Sequence, residues 1–132
     1  MHRYIALMQY IATMQYMKAI IEVSPKGSVF NAARAQIAGA KRGRAPDFYL
    51  SFESARMMFS ELTPARLDLL NTLHALGACS VYALAKAAER NYSNVHADIT
   101  HLVELGMVER NDDMVEVKFD SVEIHMDLAK AA

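Results

Sequence analysis

Residues 62–119 read LTPARLDLLNTLHALGACSVYALAKAAERNYSNVHADITHLVELGMVERNDDMVEVKF, and this stretch decides the fold class of the chain. Thr63 and Pro64 predict a helix start, because a threonine hydroxyl can accept from an unpaired amide and proline needs no N–H at the first helical position. Ser80 is the predicted cap of a second, short helix over residues 81–88, whose alanine-rich sequence keeps one apolar side. The stretch therefore begins with two predicted helices.

A third predicted helix begins at the cap Ser93, after a turn at residues 89–92. It stops at Gly106, as the first helix stops at Gly77, because glycine suits the left-handed position that follows a helix end. On a helical wheel of about 100° per residue, its apolar and its small polar side chains separate onto opposite sides. The apolar side comprises Val95, Ile99, Leu102 and Val103, and the other side comprises Ser93, Asn94, Ala97, Thr100, His101 and Glu104.

The periodicity then changes from helical to two. Within residues 114–119, the apolar Val115, Val117 and Phe119 alternate with charged side chains. The turn-forming residues 111–113 separate this segment from residues 107–110. This alternation is typical of a half-exposed hairpin, with Glu116 and Lys118 on its outer side. A helix-turn-helix followed by a hairpin is the order of a winged helix-turn-helix, which presents one helix to a DNA major groove. The small polar side of the third helix is the predicted reading face, because it can approach base edges closely.

Several segments resemble a known family. Residues 84–86, 90–99, 102 and 105–110 are similar to the small prokaryotic winged-helix regulators of the MarR-like superfamily, and most similar to those that accompany a toxin gene and act as its antitoxin. Residues 52–54 and 62–67 also fit these proteins. The family usually has a glycine before the turn arginine, where this chain has Glu89.

The helical wheel and the resemblance together predict the residues that bind DNA. They are Arg90, Asn91, Tyr92, Ser93, Asn94, His96, Ala97, Thr100, His101 and Arg110. Asp98 lies among them, but a carboxylate would repel a DNA phosphate, so we interpret it as structural and paired with an arginine of the turn or of the first helix. The basic cluster of Lys41, Arg42 and Arg44 is either an arm that contacts phosphates or a solvated loop.

Charge is unevenly distributed along the chain. Residues 63–119 carry five basic and eight acidic residues, a net charge of −3, whereas residues 18–50 carry six basic and two acidic residues, a net charge of +4. The whole chain has a net charge of −1, which argues against a general nucleic-acid coat protein. Specific recognition by a dimer remains compatible with this balance.

The part before residue 62 is predicted to form a small β-α-β-α segment. Residues 18–23 are a predicted strand, residues 28–42 a helix, residues 47–52 a second strand and residues 54–61 a second helix. So small a unit buries little apolar surface. We therefore expect residues 17–61 to be stabilised by packing on the winged helix-turn-helix domain, residues 62–119, or by homodimerisation.

Both ends of the chain admit two interpretations. Residues 1–16 are either an amphipathic helix that packs on a dimer partner or an extension before a natural start at Met17, and the second is slightly favoured. A membrane span is not expected there, because Gln9, Thr13 and Gln15 interrupt the apolar run. The tail, residues 120–132, is either an extra strand or a partner-binding segment.

Composition and motifs limit the function. The chain has 132 residues, of which 53% are hydrophobic, enough for one domain with a real core or two very small ones. Its single cysteine, Cys79, fits a reducing cytoplasm and is predicted to be a small buried residue. The sequence has no catalytic, nucleotide-binding or zinc motif, so neither an enzyme nor a metal or cofactor site is expected.

These features predict an α+β protein, with a winged helix-turn-helix domain preceded by a small β-α-β-α segment. The expected function is a cytoplasmic, homodimeric transcriptional regulator that binds a palindromic double-stranded DNA operator and represses its own operon. The resemblance also implies an alternative, an antitoxin whose main role is to bind and neutralise a co-encoded toxin protein.

Overall fold

The computed structural model describes residues 18–24 and 46–128, and within them the protein is a mixed α+β structure of four helices and six strands. The expected helix at residues 28–42, the basic cluster Lys41, Arg42 and Arg44, and the extension at residues 1–16 lie outside the described residues. The helices are α1 (Ala55–Glu61), α2 (Pro64–Leu76), α3 (Val81–Ala88) and α4 (Tyr92–Glu104). The strands are β1 (Ala19–Val23), β2 (Phe48–Phe52), β3 (Cys79–Ser80), β4 (Glu109–Asn111), β5 (Met114–Glu116) and β6 (Val122–Met126).

Three strands form a parallel sheet in the order β2-β1-β6. The central strand β1 pairs in register with β2, Ala19 opposite Phe48, and with β6, Ala19 opposite Val122. The two strands expected before residue 62 are confirmed. Of the two interpretations of the tail, the extra strand is correct for residues 122–126, which return to pair with the strand at the other end of the chain.

The helix caps follow the sequence with one correction. The hydroxyls of Thr63 and Ser80 accept from backbone amides three residues further on, and α3 has the predicted bounds. The prediction that Ser93 caps the next helix is wrong, because Oδ1 of Asn91 accepts from the amides of both Ser93 and Asn94, and α4 begins at Tyr92. Asparagine and serine are equally good caps, and here the earlier residue is in the extended conformation that a cap requires.

The expected hairpin is present as β4 and β5, and β3 joins it on the other side of β5. Cys79 pairs with Val115 and is only partly buried. The prediction that Lys118 faces solvent is wrong. Strand β5 ends at Glu116, and Lys118 is buried, with its ammonium 3.0 Å from a carboxylate oxygen of Glu116.

One continuous hydrophobic core joins the parallel sheet to the helices. The ring of Phe48 in β2 stacks on Phe119, with centroids 6.2 Å apart and an interplanar angle of 17°. The same ring lies against Gly106, where a Cβ atom would come within 3.2 Å of Cε2 of Phe48. Gly106 also has a positive φ of 84°, which lets the amide of Met107 reach the carbonyl of Leu102 at 3.0 Å. The end of α4 and the sheet therefore meet at a position where a side chain is doubly unfavourable.

We expect Gly106→Ala to lower the free energy of unfolding by about 1–2 kcal/mol from backbone strain alone, and by more because the new methyl group presses on Phe48. In a Phe48→Leu background the ring atoms concerned are absent, so the same substitution should cost only the strain. Urea denaturation of the four proteins in this double-mutant cycle measures the difference. Equal losses in both backgrounds would show that the sheet does not pack against Gly106.

Candidate functional site

The helices α3 and α4, joined by a short turn, form the surface on which the predicted residues converge. On α4 the side chains of Val95, Ile99 and Leu102 are buried, as the helical wheel predicts. On α3 the buried side chains are Val81, Leu84 and Ala85. Each helix thus turns one side toward the shared core, and the opposite side of α4 is available to a ligand.

The available side of α4 carries small and polar groups near its beginning. Ser93, Asn94 and Ala97 are exposed, and the ring of Tyr92 lies against that of His96, with centroids 5.8 Å apart. The Asn94 amide and the Ser93 hydroxyl offer hydrogen-bond donors and acceptors, and the small Ala97 methyl group beside them leaves room for a close approach. Such a surface can approach a flat polar partner, such as the edge of a base pair, closely.

Two predicted contact residues are engaged inside the protein. His101 is hydrogen-bonded through Nε2 to the carboxylate of Glu61 at the end of α1, and the hydroxyl of Thr100 donates to the carbonyl of His96. Both side chains are only partly exposed. Sequence reasoning missed Glu61, and no local signal could have found it, because it lies forty residues before its partner.

Asn91 also has a structural task, because its side chain already accepts from the first amides of α4. The predicted contact residues that remain exposed are Asn91, Tyr92, Ser93, Asn94, Ala97 and Arg110, and those that are partly buried are Arg90, His96, Thr100 and His101. The predicted face is therefore brought together on α4 from residue 92 to residue 97, and it weakens toward the end of the helix.

Asp98 is held between two arginines, as the sequence predicts. Its Oδ1 accepts from Nε of Arg66 in α2 at 3.0 Å, and its Oδ2 accepts from Nη2 of Arg90 in the turn at 2.7 Å. Arg66 also donates through Nη1 to the carbonyl of Glu61. We call Arg66, Asp98 and Arg90 the arginine clamp. Because its members lie on α2, on α4 and in the turn, the clamp fixes the angle at which α4 is presented.

The charge state of Asp98 reflects its surroundings. Burial alone raises the pKa of its carboxyl group, but the hydrogen bonds and positive charges of Arg90 and Arg66 outweigh that effect and lower the pKa below the ordinary value. The carboxylate is therefore ionised at neutral pH. It stabilises the folded protein above the ordinary pKa, and this contribution is lost as the pH falls through the lowered one.

Arg90 is less available to a ligand than its position suggests. Nη2 is bound to Asp98, and Nη1 is buried with no acceptor among the described residues. A guanidinium in this state orients the turn but offers little to a phosphate group. Through its bond to Asp98, Arg90 positions the start of α4.

The turn before Arg90 has a left-handed residue. Glu89 has φ and ψ of 54° and 43°, and its amide and that of Arg90 close α3 onto the carbonyls of Lys86 and Ala85. Glutamate adopts this conformation less readily than aspartate, which has a similar φ in the hairpin turn at Asp112. The left-handed backbone conformation of residue 89 explains why a glycine would suit this position.

Few positive charges remain free around this surface. Lys86 on α3 and Arg110 on β4 are exposed, and within the described residues neither forms an ion pair. Lys118 is bound to Glu109 and Glu116. The surface therefore has low positive potential, and a nucleic acid bound there would depend on shape and hydrogen bonding more than on bulk charge.

Metal-ligand clusters and membrane-spanning helices were absent from the part of the chain that the structure describes, which does contain one cavity of note. No group of three or more histidine, cysteine, aspartate or glutamate side chains is arranged to hold a metal ion in that part of the chain. No helix there has both the length and the apolar character needed to cross a bilayer. A cavity of about 260 Å³ lies away from α4, between α2 and the segment leading into β6.

The part of the chain that contains α2 to α4 and the hairpin matches a known protein family. Residues 61–124 match the sequence profile of a protein family described as HVO_A0114. This range runs from the end of α1 into β6 and covers a little under half of the chain, so it contains the helices α2 to α4 and the hairpin. No curated protein and no solved structure matches the chain.

Replacement of Asp98 by asparagine should destabilise the protein by about 2 kcal/mol at pH 7, because two arginines lose their shared anion in a partly buried site. Urea denaturation measures this loss. The difference from the wild type should disappear as the pH falls through the lowered pKa, since protonation then removes the same charge. Asp68→Asn, on the exposed side of α2, is the matched control and should change stability by less than about 0.5 kcal/mol. Equal effects of the two substitutions would show that the clamp contributes nothing.

Replacement of Glu89 by glycine should raise the free energy of unfolding by about 0.5–1 kcal/mol, because relief of the left-handed strain exceeds the added flexibility of the unfolded chain. Thermal unfolding followed by circular dichroism measures the gain. Glu89→Ala keeps the strain while removing the carboxylate, so it should leave stability nearly unchanged. Stabilisation by alanine as large as that by glycine would attribute the effect to charge instead of backbone conformation.

Proposed function

We propose that the protein is a winged helix-turn-helix regulator that binds double-stranded DNA sequence-specifically and represses its own operon. The observation that carries this proposal is the combination of α3, a clamped turn and α4 with the hairpin β4–β5, together with a small polar surface on the exposed side of α4. In this proposal α4 is the reading helix and the hairpin is the wing. The resemblance to MarR-like winged-helix regulators supports the same assignment.

Asn94 is the proposed centre of base recognition. Its side-chain amide is exposed. The amide NH₂ group can donate to N7 of adenine while the amide oxygen accepts from the adenine amino group, which is the bidentate pattern that asparagine forms with this base. Ser93 and Ala97 flank it and are small, so the helix can sit deep in the major groove. Tyr92, propped on His96, would lie beside the DNA backbone.

Positioning falls to residues that need not touch DNA. The arginine clamp sets the angle of α4, and the pair of His101 with Glu61 fixes the far end of that helix against α1. Among the described residues near α4, Arg110 in the wing and Lys86 on α3 are exposed cations that form no ion pair and can contact phosphates. With so few, one protomer would bind weakly, so we propose that a homodimer reads a palindromic operator, each α4 entering one half-site.

A second candidate function is that of an antitoxin that neutralises a co-encoded toxin. Two features favour it. One is the resemblance to antitoxin regulators, and the other is the excess of acidic residues in residues 63–119, which contain eight acidic and five basic residues. An acidic surface is better suited to a basic protein partner than to a phosphate backbone. In this alternative, DNA binding is secondary to protein binding.

A mobility-shift titration with the promoter fragment of the protein's own operon tests the proposal. Wild-type protein should shift this fragment in preference to a scrambled one. Asn94→Ala should weaken specific binding by about 1–3 kcal/mol, roughly a factor of five to a hundred and fifty, because the bidentate contact is lost. Its thermal unfolding should match that of the wild type, since the side chain is exposed.

Asn71→Ala is the matched control, an exposed asparagine on α2 away from the reading face, and it should bind DNA as the wild type does. If Asn94→Ala and Asn71→Ala bind equally while both are folded, α4 is not the reading helix. Adding the product of the adjacent gene separates the two functions. Loss of the shifted band on its addition, with no preference for the promoter in its absence, would favour the antitoxin role.

A further inference from the structure

The outer edge of β6 has the properties of a strand that pairs with a second copy of itself. Within the described residues, β6 pairs with β1 on one side and with no strand on the other. The amide of Ala19 donates to the carbonyl of Ser121, so the backbone groups of residues 121, 123 and 125 point toward β1. By alternation, those of Val122, Ile124 and Met126 point to the outer edge, where they are open to another strand.

The side chains of this strand divide into an apolar and a charged face. Val122, Ile124 and Met126 share the face of β1 that enters the core, yet they remain 38%, 47% and 42% exposed. Glu123 and His125 lie on the other face, with Nε2 of His125 3.3 Å from a carboxylate oxygen of Glu123. An exposed apolar row on an open strand edge is a surface that proteins normally cover.

The sequence of β6 is complementary to itself when it is run antiparallel about Ile124. In that register Ile124 faces its own copy, Val122 faces Met126, and Glu123 faces His125, so both faces match in chemical character. Because the N–H and C=O groups of Ile124 point to the outer edge, the two copies of Ile124 form a hydrogen-bonded pair. Glu123 and His125 then form the non-hydrogen-bonded pairs, in which facing side chains are closest.

We propose that two copies of the chain join through antiparallel pairing of their β6 strands about Ile124. The product is a six-stranded sheet in the order β2-β1-β6-β6-β1-β2 with a two-fold axis at its centre. Each Glu123 then lies between the His125 of its own chain and that of the second copy, with Lys18 3.1 Å from it. This inference supplies the interface for the dimer in the proposed function and rests on that function only for its biological use.

Cysteine cross-linking of the full chain tests the register. In a Cys79→Ala background, Ile124→Cys should form a disulfide-linked dimer under mild oxidation, because facing residues of a hydrogen-bonded pair are about 5.5 Å apart at Cα, within disulfide range. Val122→Cys should not form one, since the two copies of residue 122 are then about 14 Å apart. Adding Met126→Cys to Val122→Cys should restore the cross-link. Equal cross-linking of the two single variants would overturn the register.

Sedimentation equilibrium tests the interface without introducing a cysteine. Ile124→Lys should weaken the dimer at least tenfold, because two ammonium groups then face each other at the axis. Leu76→Lys is the matched control, an aliphatic residue on α2 with the same exposed fraction of 47%, and its dimer should be unaffected. Glu123→Lys should also weaken the dimer, and His125→Glu in the same chain should restore it by exchanging the charges.

Three outcomes overturn the inference. The first is a wild-type protein that is monomeric at about 100 µM, a hundred times a typical micromolar dimer constant. The second is an Ile124→Lys variant that dimerises normally. The third is a monomer whose β6 amides are protected from hydrogen exchange by another segment of the same chain. The mobility shift separates this failure from that of the proposed function. If the protein binds its operator but fails these tests, the proposed function stands and the β6 interface is wrong. If it forms a β6-linked dimer but shows no preference for its promoter, only the interface stands.

Discussion

The position of α4 depends on one carboxylate, that of Asp98, and on the two arginines that hold it. Arg66 reaches it from α2 and Arg90 from the turn, so a single partly buried anion ties together α2, the turn and α4. Hydrophobic packing of Val95, Ile99 and Leu102 fixes which side of α4 faces the core. Charged hydrogen bonds of fixed length are directional, and they set the angle of the helix.

The second constraint is the contact of the parallel sheet with the end of α4. Phe48 fills the space left by the missing side chain of Gly106 and stacks on Phe119, so the residue that ends the helix also receives the sheet. The sheet itself needs both ends of the described chain, since β1 lies between β2 and β6. A disturbance of the helix end is therefore expected to reach the edge strand β6, and the reverse.

The clamp also has a consequence for function. It consumes Arg66 and Arg90, and Lys118 is bound in the same way by Glu109 and Glu116, so most cations of this region serve internal structure. Under the proposed DNA-binding function, this arrangement gives a well-oriented α4 at the expense of nonspecific attraction to phosphates. The proposed dimer compensates by placing two reading helices on one operator.

The sequence by itself determined the helix caps at Thr63 and Ser80, the buried stripe of α4, the strands around residues 20 and 50, and the pairing of Asp98 with arginines, because each follows from periodicity, local chemistry or a charge that must be neutralised. The sequence predicts the cap of α4 two residues too late, since Asn91 and Ser93 are equally suitable in sequence and only the backbone conformation distinguishes them. Tertiary structure alone decided the burial of Lys118, the pairing of His101 with Glu61 and the return of β6 to β1. These contacts join residues that are far apart in the chain, and a local sequence pattern cannot show that such residues lie close together in space.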